Sequence, residues 1–294
     1  MAKKIPKSKT KAGFTLIEVS IFLAITGLLL IGVLGGTYSS IATQRYNDSL
    51  RSFAEFIRQL YGEVISPESI GQSEDNVSTG DSDVYAIYGK IAVFGLDTDQ
   101  NAEAYSLDAD DETRVYTATV VGSTALTIKG DGFLEELAQA EVSLYCGVEN
   151  DDNSESSVGS YTPLWGAHLL TAENEDEEQK AGKPFYGTVL IARSPASGIV
   201  HTAYINEVFD IKEHCVDASD ALASTKFKDT IKALAGAKDV PSIDDKIKFE
   251  MENPIGICVE SDNSNIIREV QIASDGRNTS AVNILTEEDS KCPR

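Results

Sequence analysis

A chain of 294 residues with 25 Lys and Arg against 47 Asp and Glu carries a formal net charge of −22, a balance that repels nucleic-acid phosphate and excludes direct nucleic-acid binding as an expectation. The length allows a sizeable core. The charge is unevenly placed: residues 1–13 hold five lysines and no acid, leaving 20 bases against 47 acids, or −27, for the rest.

In chain order, the basic segment MAKKIPKSKTKAG leads into GFTLIEVSIFLAITGLLLIGVLGGTY, Gly13 to Tyr38, in which the only charged residue is Glu18. Val19 to Tyr38 is 20 residues without a charge, and as a helix it spans roughly 30 Å, the hydrocarbon thickness of a bilayer. A membrane span over 19–38 follows, with Lys3, Lys4, Lys7, Lys9 and Lys11 holding residues 1–13 in the cytoplasm. A secretory signal has its small-residue cleavage site after the apolar core; here the signal-like junction precedes it, at Gly13 and Phe14. An acid at the end of a membrane helix is costly unless it has a partner, which makes Glu18 a functional candidate. Its partner would be a cation; the alternative is that Glu18 snorkels to the headgroups.

Gly13, Phe14, Thr15, Leu16, Ile17 and Glu18, followed by the apolar run and preceded by the lysines, resemble the prepilin family, the type IV pilins and the pseudopilins of type II secretion. The resemblance implies that a prepilin peptidase cuts between Gly13 and Phe14 and N-methylates Phe14. It further implies that the precursor sits in the inner membrane with its head outside the cytoplasm, and that Glu18 pairs with a neighbour's Phe14 amine during filament assembly. The implied partners are other pilin subunits, the peptidase, the assembly platform and, before assembly, the membrane.

Beyond the span, Tyr46, Leu50, Phe53, Ile57, Leu60 and Val64 recur at spacings of three and four, with Arg45, Asp48, Arg51, Glu55 and Arg58 on the other face. The helix is expected to run from 14 to 65 and to stop before Pro67. Its second half should pack on a head at 66–294. Pilins commonly carry a helix-breaking proline in the apolar half; this chain has Gly35 and Gly36 instead, which leaves local melting in a filament open.

After Pro67 the pattern predicts short antiparallel strands with one wet face at 84–88, 91–94, 115–121, 125–129, 142–148, 188–193, 199–205, 247–251, 256–259, 268–273 and 282–285, and helices at 132–140 and 220–234. The fold class is therefore α+β: a long N-terminal helix and an elaborated antiparallel β-rich head. Ile257, Cys258, Val259, Arg268, Val270, Ile272, Gly276, Arg277 and Cys292 resemble the closing strands and cysteine pair of some minor pilins, of the FimT type, and of the related type II secretion pseudopilins.

Four cysteines outside the cytoplasm can form disulfides in three connectivities. In line with that resemblance, Cys258 with Cys292 and Cys146 with Cys215 is the expected one. No CxxC spacing favours zinc. The acidic stretch at 97–112 places Asp97, Asp99, Asn101 and Asp108 in a calcium-loop-like spacing. It lacks the turn glycine, at Ala102, and the bidentate glutamate at the twelfth position, so a solvated acidic face is the competing reading. His168, His201 and His214 are the only histidines, and no GxSxG, GxxxxGK or HExxH occurs. The expected protein is thus not an enzyme and needs no cofactor. It is a structural subunit of a type IV pilus-like filament, minor or at the tip. An adhesin with a ligand-binding head and a membrane-anchored enzyme are the alternatives.

Overall fold

The computed structural model describes residues 15–66, 85–95, 114–123, 132–145, 159–172, 185–206, 215–216, 225–236, 249–250, 254–261, 264–272, 282–286 and 288–292. The chain divides into two compact units, 1–45 and 46–294. One helix, α1 (Leu16–Ile65), contributes to both.

In the second unit, the positions at three- and four-residue spacing on α1 are the buried ones: Tyr46, Ser49, Leu50, Phe53, Ala54, Ile57, Leu60, Tyr61 and Val64. Burying a side chain such as Leu50, Phe53, Ile57 or Val64 contributes about 1.5 to 3 kcal/mol over leaving it exposed, so packing rather than helix propensity holds this half. α1 ends at Ile65, as the proline two residues on requires.

The remaining described elements are β1 (Tyr85–Phe94), β2 (Val115–Ser123), α2 (Phe133–Gln139), β3 (Ser143–Tyr145), β4 (Gly159–Tyr161), β5 (Ala167–Thr171), β6 (Gly187–Arg193), β7 (Val200–Ile205), β8 (Cys215–Val216), α3 (Thr225–Leu234), β9 (Phe249–Glu250), β10 (Ile255–Ser261), β11 (Ser264–Ile272) and β12 (Val282–Ile284). They form two open sheets. The larger has the order β8-β3-β2-β1-β6-β7-β9, with β4 also on β2; the smaller has the order β12-β11-β10-β5. All described pairs are antiparallel except β3 with β8, where Leu144 lies opposite Cys215 and Tyr145 opposite Val216.

One core joins the buried stripe of α1 to Ala92, Phe94, Val189 and Ile191 of the larger sheet and to Leu169, Ile257, Val259 and Val270 of the smaller. A second core lies on the opposite face of the larger sheet, where Ile91, Val93, Val120 and Leu190 meet Phe133 and Leu137 of α2 and Phe227 and Ile231 of α3. The expectation of one wet face therefore fails for the central strands. Ile91 to Phe94 of β1 and Val189 to Ala192 of β6 are buried without interruption, because helices cover the second face. The runs at 84–88 and 91–94 form one strand whose register shifts between Ile87 and Gly89. Gly89 is required there: a Cβ would stand 2.4 Å from the Ile191 carbonyl oxygen. Strands β4, β5 and β8 have no counterpart in the expected series; helix α3 covers the later part of the helix expected at 220–234, of which residues 220–224 lie outside the described residues. The strand expected at 125–129 lies outside the described residues.

The C-terminal tail is fastened to the face of the smaller sheet turned away from α1. Cys258 is bonded to Cys292. Its cross-strand neighbour Glu269, only 2 % exposed, accepts the Lys291 backbone N–H at 2.7 Å, and the Leu285 N–H donates to the Glu269 carbonyl at 2.9 Å. The bridged residues are 34 apart in sequence, and closing such a loop is worth about 3 to 4 kcal/mol in the chain-entropy model. Cys292→Ser should lower unfolding stability by that amount and make it insensitive to reductant. Equal denaturant midpoints for wild type with and without reductant would contradict the bridge.

Between β4 and β5, Leu164–Gly166 makes a single 3-10 turn in which Trp165 has φ 61° and ψ 30°. A bulky side chain in this left-handed region costs about 1 to 3 kcal/mol.

Candidate functional site

The candidate site is α1 from its first described residues to Ile41. Thr15 precedes the first helical turn, and its backbone N–H and its hydroxyl both donate to Glu18 Oε2 at 2.9 Å, while the Glu18 N–H donates back to Thr15 Oγ1 at 3.3 Å. This reciprocal pair is a capping box, Thr-Leu-Ile-Glu, in which the acid satisfies a backbone donor that the helix start would leave open. Charge and burial considerations alone give Glu18 only a pairing role; the signal for the cap is the S/T-x-x-E spacing itself. Both residues are exposed.

From Leu16 to Ile41 the large apolar side chains stand in the open: Leu16 is 89 % exposed, Leu28 73 % and Ile31 72 %. Three hydroxyls within this stretch, those of Ser20, Thr26 and Thr37, are satisfied inside the helix. Ser20 donates to the Ile17 carbonyl and Thr37 to the Leu34 carbonyl, each at 3.0 Å, and Thr26 donates to the Phe22 carbonyl. A helix that closes its own polar groups and turns its apolar ones outward is built for lipid or for other helices. Among the described residues, α1 is the one helix long and apolar enough to cross a membrane. The helix runs unbroken through Gly35 and Gly36, and an added Cβ at Gly27, Gly32, Gly35 or Gly36 would meet nothing within 4 Å. These glycines leave flat patches on an uncovered surface, where close helix approach is possible.

In the head, an open polar groove of about 590 Å³ lies beside α1, lined among others by Ser52, Phe56, Gln59, Lys90 and Tyr161. The Phe56 and Tyr161 rings stack at 4.4 Å, and Lys90 pairs with Glu63 at 2.9 Å. His201, half-buried, packs its ring on Phe133 at 4.6 Å; burial lowers its pKa and the nearby Glu136 carboxylate pulls the other way. Its contacts are those of a core-edge histidine.

The cleavage pair Gly13 and Phe14, the calcium-like set Asp97, Asp99, Asn101 and Asp108, Cys146 and His214 lie outside the described residues. Cys215 sits in β8, across from Leu144. No cluster of metal-ligating side chains occurs among the described residues.

A helix of this length, with its large apolar side chains exposed, is of the kind that can cross a membrane. Residues 8–34 match the family model of the prokaryotic N-terminal methylation motif. The chain carries the signature of type IV pilins and pseudopilins, a structural family. No curated protein and no solved structure matches the chain.

Proposed function

We propose that this protein is a minor or tip subunit of a type IV pilus-like filament, cut after Gly13 by prepilin peptidase and assembled through α1. The observation that carries the reading is the coincidence of the methylation motif with an exposed apolar helix whose second half is the spine of a head. The motif implies assembly with other pilin subunits. A head that, among the described residues, brings two sheets and two further helices together with the second half of α1 supports the minor or tip position. The precursor sits in the inner membrane with the head outside, and the mature chain leaves it for the filament. The expected pairing of Cys146 with Cys215 fits an exported head; the β8 register puts Cys215 opposite Leu144, two residues from Cys146.

Processing is testable at one position. A bulky side chain at Gly13 should obstruct the close backbone approach the peptidase needs, so Gly13→Val should keep residues 1–13 attached, read by mass spectrometry of membrane fractions. A mature terminus at Phe14 in that variant would sink the assignment of the site. The groove beside Phe56 and Tyr161 favours an adhesin role as a second reading: its polar walls and stacked rings suit a polar surface ligand such as a glycan. Host-surface binding by intact filaments that is lost on Tyr161→Ala would support it.

A further inference from the structure

The core between α1 and the larger sheet gives out at one side, and the polar groove opens there. Residues two apart along a strand share a face; Phe94 and Ala92 of β1 lie in the core with α1, so the next position on that face is Lys90. Across from Lys90 stands Thr119 of β2, across from Ala92 stands Thr117, and beyond Thr117 stands Gly159 of β4. Polar side chains thus replace apolar ones on this face, and Gln59 and Glu63 of α1 line the same groove. Glycine keeps its floor open, because a Cβ at position 159 would collide with Thr117 Oγ1. At about 590 Å³ the space lies within the range of roughly 300 to 1,000 Å³ typical of small-ligand sites.

The groove offers an aromatic surface and a polar network. Phe56 and Tyr161 are held as a stacked pair, with the Tyr161 hydroxyl donating to Ser52 Oγ at 3.2 Å. Further along α1, Glu63 fixes two neighbours: Gln59 Nε2 donates to its Oε1 at 3.0 Å, and Lys90 Nζ pairs with its Oε2 at 2.9 Å. An amide and an ammonium have donor and acceptor capacity beyond these contacts, in positions that the network sets. Such a network meets hydroxyl groups, which both donate and accept, while the ring pair meets the C–H face of a sugar.

Charge decides the class of ligand. The charged residues of the lining are Glu55, Glu63 and Lys90, and each is matched, Glu55 with Arg58 at 2.6 Å and Glu63 with Lys90. Neither an anion nor a cation therefore finds a spare counter-charge among these residues, and an anion also meets the field of a chain at −22. We propose that the groove binds an uncharged saccharide, read by Gln59, Glu63 and Lys90 and packed on Phe56 and Tyr161. This rests on the reading of the groove as an adhesin site.

The full chain, in detergent, is applied to immobilised neutral glycans and to the same glycans capped with sialic acid. Neutral glycans are expected to bind, and the sialylated forms at least about tenfold more weakly, as a like-charge mismatch demands. Gln59→Leu, at an exposed position, should weaken binding by about tenfold with an unchanged thermal midpoint; if the midpoint falls, Lys90→Met removes the same network from the sheet side. Equal or tighter binding of sialylated glycans, lost in Gln59→Leu, would overturn the uncharged ligand and leave the groove as an adhesin site. Attachment to surfaces that protease treatment and Tyr161→Ala abolish, with no glycan bound, would assign the groove to a protein ligand and overturn the saccharide alone. Absence of binding to glycans and surfaces alike, or binding that Gln59→Leu, Lys90→Met and Tyr161→Ala leave unchanged, would overturn both the saccharide and the adhesin reading.

Discussion

Phe53→Ala is expected to destabilise the head by about 3 to 5 kcal/mol, the usual cost of emptying a buried phenylalanine site. Phe53 is fully buried on α1, and its ring lies 6.0 Å from Tyr161, 6.4 Å from Phe94 and 6.5 Å from Phe56, so the cavity would open where α1, β1 and β4 converge. Rigid strands on one side and a helix on the other leave little room to collapse. For a head of this size the loss should lower the thermal midpoint by on the order of 10 °C, measured on the full chain in detergent. Phe56→Ala, at a half-buried ring, should cost clearly less. Equal midpoints for Phe53→Ala and wild type would mean that the second half of α1 is not integral to the head's core.

The helical half of the molecule was legible because period and punctuation agree there. The stripe Tyr46, Leu50, Phe53, Ile57, Leu60 and Val64 is buried as its spacing required, and Pro67 marked the end. The antiparallel head was legible as a class, and β2, β6, β7 and β10 fell close to the runs that announced them. Strands β4 and β8 are too short to show a period: Gly159–Tyr161 and Cys215–Val216 become strands only because β2 and β3 offer edges. β5, Ala-His-Leu-Leu-Thr, follows a strained turn and shows no alternation, and it is ordered by its partner β10. Whether a central strand is wet on one side depends on what covers it. Helices α2 and α3, distant in sequence, cover the face of Ile91 and Leu190, and nothing local to those strands records it.

The same reasoning applies to the site. The methylation motif and the apolar run are contiguous, so a linear reading finds them. By contrast, the hydrogen bond from the Tyr46 hydroxyl to the Val259 carbonyl joins residues 213 apart in sequence, and nothing local to either residue announces it. Surfaces assembled by pairing are invisible to a scan for motifs, whereas a helix start carries its own chemistry in four residues.

That helix start makes Glu18 the most informative residue to change. Glu18→Ala is expected to be cut after Gly13 and inserted normally, yet to be lost from sheared filaments, because a neighbour's Phe14 amine entering an apolar filament core would be left without its counter-charge. The capping box supplies a rival explanation. Glu18 accepts both the Thr15 N–H and the Thr15 hydroxyl, so alanine also unravels the first turn. Glu18→Gln separates the two, since glutamine can keep the box but cannot neutralise an ammonium. If charge pairing drives assembly, Gln and Ala should be lost from filaments alike; if the cap alone matters, Gln should assemble like wild type and only Ala should fail. A further variant, Thr15→Val, removes the hydroxyl half of the box while leaving the carboxylate, and under charge pairing it should assemble. Recovery of Glu18→Gln in filaments at the wild-type level would end the pairing mechanism and leave Glu18 as a helix cap.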